Sequence, residues 1–98
     1  MTRRQLLFTP QAQRDLDEIW RYSAKEWSDE RADHYIRALI ATCETVAQRP
    51  DIARRRDDVK LGYRAALSGS HIIFFKISGP SLIVVRILHQ RMDVIRHM

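Results

Sequence analysis

The chain has 98 residues, 17 of them Lys or Arg and 12 Asp or Glu, for a formal net charge of +5. With 45% hydrophobic and 30% charged residues, it falls outside the disordered class, and its length supports one domain over residues 1–98. The runs Ile72–Phe75 and Leu82–Val85 fall far short of the ~20 apolar residues that span a bilayer, and no long apolar stretch follows Met1-Thr2-Arg3-Arg4, which excludes a membrane helix, argues against a signal peptide and implies a cytoplasmic chain.

In chain order, Gln5–Thr9 reads as a short strand. Thr9 has the hydroxyl to cap a helix, and Pro10 suits the first helical position, where a missing N–H costs nothing. Ala12, Leu16, Ile19, Trp20, Ser23 and Trp27 then recur at helical spacing, so the pattern predicts an amphipathic helix from Pro10 to about Glu26. Trp27-Ser28-Asp29-Glu30 supplies a turn and the acidic residues that favour a helix start. A second helix carries Ala32, Tyr35, Ile36, Leu39, Ile40, Cys43, Val46 and Ala47 and stops before Pro50. The tight turn makes the two an antiparallel hairpin. Cys43, the single cysteine, falls on the apolar stripe as a small core residue, and alone it forms neither a disulfide nor a metal site.

Asp51–Leu61 breaks the period and reads as a loop containing Arg54-Arg55-Arg56-Asp57-Asp58. Beyond Gly62, Tyr63–Leu67, His71–Ile77 and Ser81–Leu88 are rich in β-branched and aromatic residues and are separated by Ser68-Gly69-Ser70 and Ser78-Gly79-Pro80. This punctuation predicts a three-stranded antiparallel meander. The expected order is β-α-α-β-β-β, a two-layer α+β domain with the hairpin on one face of the sheet. Charge divides unevenly along it: residues 1–50 hold eight cations and eight anions, so the whole excess lies in residues 51–98. Fourteen of the 17 cations are Arg, whose planar fork suits carboxylate or phosphate.

Three segments resemble the ParE family of toxins from bacterial toxin–antitoxin pairs. They are Phe8-Thr9-Pro10-Gln11-Ala12 with Asp15, Leu16, Ile19 and Tyr22; Gly62-Tyr63-Arg64; and Val85-Arg86-Ile87-Leu88-His89-Gln90-Arg91-Met92-Asp93. They occur in the family's order across almost the entire chain. The resemblance implies a RelE/ParE-like fold and a toxin of a type II pair. Such a toxin is neutralised in a hetero-oligomer by a ParD-like antitoxin and inhibits DNA gyrase by protein–protein contact. It implies no cofactor, no metal and no catalytic residue.

The superfamily's RelE-like branch gives the alternative, a ribosome-dependent mRNA endonuclease. Cutting RNA needs a base, an acid and cations around the phosphorane. Lys60, Arg64, Arg86 and His89 are the candidates, although no tyrosine follows Tyr63. His89 has two readings: a general base between Arg86 and Arg91, or a residue whose ring nitrogens tie the end of the last strand to the sheet. His71 is expected at a strand edge, and His34 and His97 at exposed positions. If Arg64, Arg86 and Arg91 share the open sheet face, they form a basic patch; with Arg96 they are the candidate target-binding residues. The other reading pairs them with Asp57, Asp58 or Asp93. Leu16, Ile19, Trp20, Trp27 and Tyr35 are the candidate antitoxin contacts along the hairpin. The sequence pI of about 10.0 raises a nucleic-acid-binding module as a third possibility. No helix-turn-helix, zinc spacing or RNA-stacking pattern accompanies it, so direct nucleic-acid binding is not expected.

Overall fold

Thr9 and Pro10 start the first helix as their chemistry favours. In the computed structural model, which describes residues 4–98, Thr9 Oγ1 accepts the Ala12 N–H at 3.0 Å and donates its own proton to the Val85 carbonyl at 2.8 Å. Met1, Thr2 and Arg3, part of the N-terminal segment read above, lie outside the described residues. Strand β1 (Gln5–Phe8) therefore ends one residue earlier than expected, and α1 runs Pro10–Glu26. Ser28 caps α2 (Asp29–Gln48) by accepting the Arg31 N–H at 3.1 Å, with Asp29 and Glu30 in the first turn. The buried stripe of α2 is Ala32, Leu39, Cys43, Val46 and Ala47. Burial pushes the Cys43 thiol up to about 12, so it stays protonated and unreactive.

The meander is present as β3 (Arg64–Ser68), β4 (His71–Ser78) and β5 (Ser81–His89), and it is widened on both sides. Each hairpin closes with two residues, Gly69-Ser70 and Gly79-Pro80, with the glycine at positive φ in the first position, as a II′ turn demands. Gly69 has a second reason to be glycine: a Cβ there would sit 2.5 Å from Tyr35 Oη. β1 adds to β5 in parallel, Gln5 to Phe8 against Ser81 to Val84. Within the segment expected to be a loop, Pro50–Ile52 forms a 3-10 turn and Arg54–Arg55 forms β2, antiparallel to β3. Two charged residues carry no strand periodicity, and a short charged edge is a common way to end a sheet. The order is β1-β5-β4-β3-β2, a mixed sheet of five strands where four, in an antiparallel sheet, are expected.

The two faces of the sheet are unequal. Toward the helices, Ile73, Phe75, Leu82, Val84 and Ile87 join Ala12, Ile19, Leu39, Cys43 and Val46 in the main core. The jump from Val84 to Ile87 breaks alternation because Phe75 pairs with Val84 while Phe74 pairs with Arg86, leaving Val85 as a bulge. The opposite face is not open. Ala65, Phe74 and Leu88 form a second small cluster there, covered by Val59 from the β2–β3 loop and Val94 from a short C-terminal helix, α3 (Val94–His97). Four residues are too few to show helical period, which is why α3 escapes the sequence reading. Among the described residues no helix is long and apolar enough to cross a membrane.

Candidate functional site

The bulge and the early end of β1 create the first feature. Past Val84 no strand among the described residues pairs with the outer edge of β5, so the Ile87 N–H needs an acceptor. Asp15 of α1 provides it: Oδ2 takes the Ile87 N–H at 2.9 Å and Arg86 Nε–H at 2.8 Å, while Oδ1 takes Arg86 Nη2–H at 3.0 Å. The guanidinium also donates through Nη1 to the His97 carbonyl. The Asp15–Arg86 pair thus joins α1, β5 and α3. The Arg86 pKa is raised, chiefly by its hydrogen bonds to Asp15. The sequence signal for this pair was a carboxylate on the apolar stripe, three residues after Ala12 and four before Ile19.

Beside the pair, Tyr22, His71, Arg86, His89 and Met92 line a cleft of about 550 Å³. Tyr35 Oη accepts the Ser70 N–H at 2.9 Å and is hydrogen-bonded to His71 Nδ1 at 2.7 Å. His89 Nδ1 accepts the Arg91 N–H at 3.1 Å, and the two imidazoles meet edge to face with centroids 5.3 Å apart. His89 therefore uses Nδ1 as an acceptor. The Nδ1 bond is local, to the turn just after β5, and the contact of His89 with the rest of the sheet is its ring against that of His71. His71 opens a strand as expected, but that strand, β4, is central and not at the sheet edge.

Burial, and secondarily the neighbouring His89, lowers the His71 pKa to about 4, with the Asp15 charge acting in the opposite direction. An unfolded histidine takes its proton near ~6.5. Between pH 6.5 and about 4 the unfolded chain therefore binds a proton that the native chain does not, and stability falls as the pH drops through that window. Urea midpoints at pH 7 and pH 5 should show a larger loss for the wild type than for His71→Gln. Equal losses would remove His71 as the cause.

The candidate residues divide: Arg86 and His89 share the cleft, whereas Lys60 and Arg64 do not line it. Arg64 opposes Phe75 and Arg86 opposes Phe74. Consecutive strand residues face opposite ways, so the two arginines leave the sheet from opposite faces, with β4 between their strands. Arg64 Nη1 donates to the Ala53 carbonyl at 3.0 Å, and Lys60 Nζ lies 5.9 Å from the Tyr63 ring centroid in the β2–β3 loop. Lys60, Arg64, Arg86 and His89 are not gathered round one point, and Arg64 and Arg86 do not share a patch. Asp57 and Asp58 engage Arg55 and Arg56, while Arg86 takes Asp15, a partner outside the expected set. Arg91 and Arg96 are exposed in the segment after β5.

Along the hairpin, Ile19 is part of the core, and Leu16 and Tyr35 pack against it. Trp20 is half-buried, with Nε1–H donating to Asp33 Oδ1 at 2.8 Å across the hairpin. Trp27 stands out at 56% exposure under the Arg31 guanidinium, and Tyr22 at 63%. His34 and His97 are exposed, as expected.

This arrangement, a helical hairpin on a mixed sheet, is shared with solved toxin–antitoxin proteins. One comes from the chromosomal ParDE system of P. aeruginosa (TM-score 0.78, 19% identity, 88% of this chain and 95% of that one). Another comes from the RelBE2 complex of Mycobacterium tuberculosis (TM-score 0.66, 18% identity, 94% and 97%). The fold is thus that of the RelE/ParE-like toxins. In sequence, the profile described as ParE toxin of type II toxin-antitoxin system, parDE, matches residues 6–94. Toxin ParE1 of Caulobacter vibrioides is 39% identical over 87 residues, covering 89% of this chain and 90% of that protein. Toxin ParE1 of M. tuberculosis is 41% identical over 93 residues, covering 94% and 95%. The chain belongs to the ParE family of toxins of type II toxin–antitoxin systems.

Proposed function

We propose that this toxin is held inactive by a ParD-like antitoxin seated on the helical hairpin and that, once released, it inhibits DNA gyrase by protein–protein contact without bond-making chemistry of its own. The observation that carries the reading is the placement of Arg64 and Arg86 on opposite faces, with three of the five N–H groups of Arg86 engaged by Asp15 and the His97 carbonyl. A nuclease needs its cations converging on one phosphate, and these diverge. Target contact then falls to cations that reach solvent, Arg91 and Arg96 first, with Arg64 and Arg86 shaping the surface behind them.

The experiment adds purified toxin to gyrase with plasmid, and separately to translating ribosomes with a defined message. Supercoiling should be lost and the message left whole; cleavage of the message with supercoiling untouched would replace this reading with the RelE-like endonuclease. For the antitoxin seat, Trp27 is the large exposed aromatic at the hairpin turn, the residue type that anchors interfaces. Trp27→Ala should weaken antitoxin binding about 30-fold or more, a hot-spot loss of ~2 kcal/mol, without altering the fold. Unchanged affinity in a calorimetric titration moves the seat elsewhere.

A further inference from the structure

Leu61, at 85%, is the most exposed large hydrophobic side chain among the described residues. It sits at the tip of the loop joining β2 to β3, and that loop is tightly built. Asp57 Oδ1 accepts the Gly62 N–H at 2.8 Å, and the Arg56 N–H donates to the Tyr63 carbonyl at 2.8 Å. The Val59 N–H donates to the Arg56 carbonyl and the Tyr63 N–H to the Lys60 carbonyl. Val59 is anchored in the Phe74 cluster. Gly62 turns the chain at φ +87°, a conformation glycine adopts freely. The frame holds Leu61 out in water, and a side chain ordered before binding loses little entropy on contact. Within residues 54–64 five cations face two aspartates. Those aspartates engage Arg55 and Arg56, and among the described residues Arg54 and Lys60 enter no ion pair.

We propose that this loop is a target-gripping surface: Leu61 enters an apolar socket on an acidic protein, and Arg54 and Lys60 meet carboxylates on the socket's rim. The inference deepens the reading of a toxin that acts by occupying a protein target, and it rests on that reading. A protein fits better than a nucleic acid. The loop offers no exposed aromatic for base stacking, since Tyr63 is buried. Two of its arginine forks are already spent on aspartates, and an aliphatic knob reads a socket rather than a phosphate. α2 packs on β3 and the 3-10 turn, and α1 on β5 and β1, but Leu61 itself stands in solvent and belongs to neither apolar cluster. Its replacement therefore leaves the packing of the hairpin unchanged.

The test compares the wild type with Leu61→Ser and with Lys60→Glu in three measurements: growth arrest on induced expression, inhibition of purified gyrase, and affinity for the antitoxin. Leu61→Ser should lose about tenfold to hundredfold in gyrase inhibition, the factor expected when a leucine forfeits full burial, and should arrest growth correspondingly less. Its melting temperature and antitoxin affinity should stay at wild-type values. Lys60→Glu should slow association, most strongly at low salt. Wild-type potency of Leu61→Ser in both arrest and inhibition overturns the proposal. A wild type that arrests growth while sparing gyrase overturns the gyrase reading alone, and the loop is then judged on arrest: lost in Leu61→Ser it stands, retained it falls. If the wild type binds a naked 20-base-pair duplex and Leu61→Ser abolishes that binding, the partner is nucleic acid and the acidic-protein assignment fails. A wild type with no effect on growth or gyrase overturns both readings.

Discussion

Asp15→Ala is expected to cost about 3 kcal/mol of stability, the lower end of the range for removing one partner of a buried ion pair. The carboxylate accepts three hydrogen bonds, two from the Arg86 fork and one from the Ile87 backbone. Its side chain is 10% exposed and that of Arg86 17%, so water replaces little of what is lost. For a chain of this size the midpoint of thermal unfolding should drop by roughly 4–8 °C per kcal/mol. A double replacement separates the terms. Asp15→Leu with Arg86→Met removes the stranded charge and should recover much of the loss, as apolar substitutes for buried pairs commonly do. It should not recover all of it, because the Ile87 N–H is then buried without an acceptor, at about 1–3 kcal/mol. Urea denaturation of wild type, Asp15→Ala and the double variant measures both numbers. A loss below about 1 kcal/mol for Asp15→Ala would mean that the pair behaves as a solvated surface bridge.

The legibility of the fold follows from the range over which each signal acts. The hairpin can be read because Thr9-Pro10, the apolar stripe and Pro50 are local, and β3 to β5 because Gly69 and Gly79 mark their turns. β2 and α3 are too short to show a period and exist only because β3 and the Phe74 cluster receive them. Facing was harder. Alternation along β3 and β5 is visible separately, but whether Arg64 and Arg86 share a face depends on their register through β4 and on the extra residue at Val85. Neither is written in spacing. The Asp15–Arg86 pair joins positions 71 apart, which a linear reading meets only as two unrelated charges. An isolated leucine in a charged loop carries no pattern, so Leu61 has no signal in the sequence; its meaning comes from the frame that keeps it exposed. Trp27 was legible as a turn aromatic, while Ile19, three residues before Tyr22 on the same helix, turned to the core.

The second large effect is expected at Phe74. A two-layer domain leaves one face of its sheet to solvent, and on that view Phe74→Ala would be mild while Phe75→Ala, beneath the helices, would be severe. Both rings are fully buried. Phe74 has Arg56 5.6 Å from its ring centroid and lies in the cluster with Ala65 and Leu88 that Val59 and Val94 cover. Phe74→Ala should therefore cost about 3–5 kcal/mol, as much as Phe75→Ala, out of a total of roughly 5–15 kcal/mol for a small domain. The two variants should differ in where they loosen. Val59 and Val94 rest on the Phe74 cluster, so amide exchange in Phe74→Ala should quicken first at Val59, His97 and Met98, whose N–H groups donate to Arg56, Asp93 and Val94. Exchange in α2 should still require global unfolding. Phe75→Ala should instead speed exchange in α1 and α2. A Phe74→Ala chain that loses less than about 1 kcal/mol would mean the C-terminal helix and the loop cover the sheet without being held by it. The second face would then be open to any partner able to displace them.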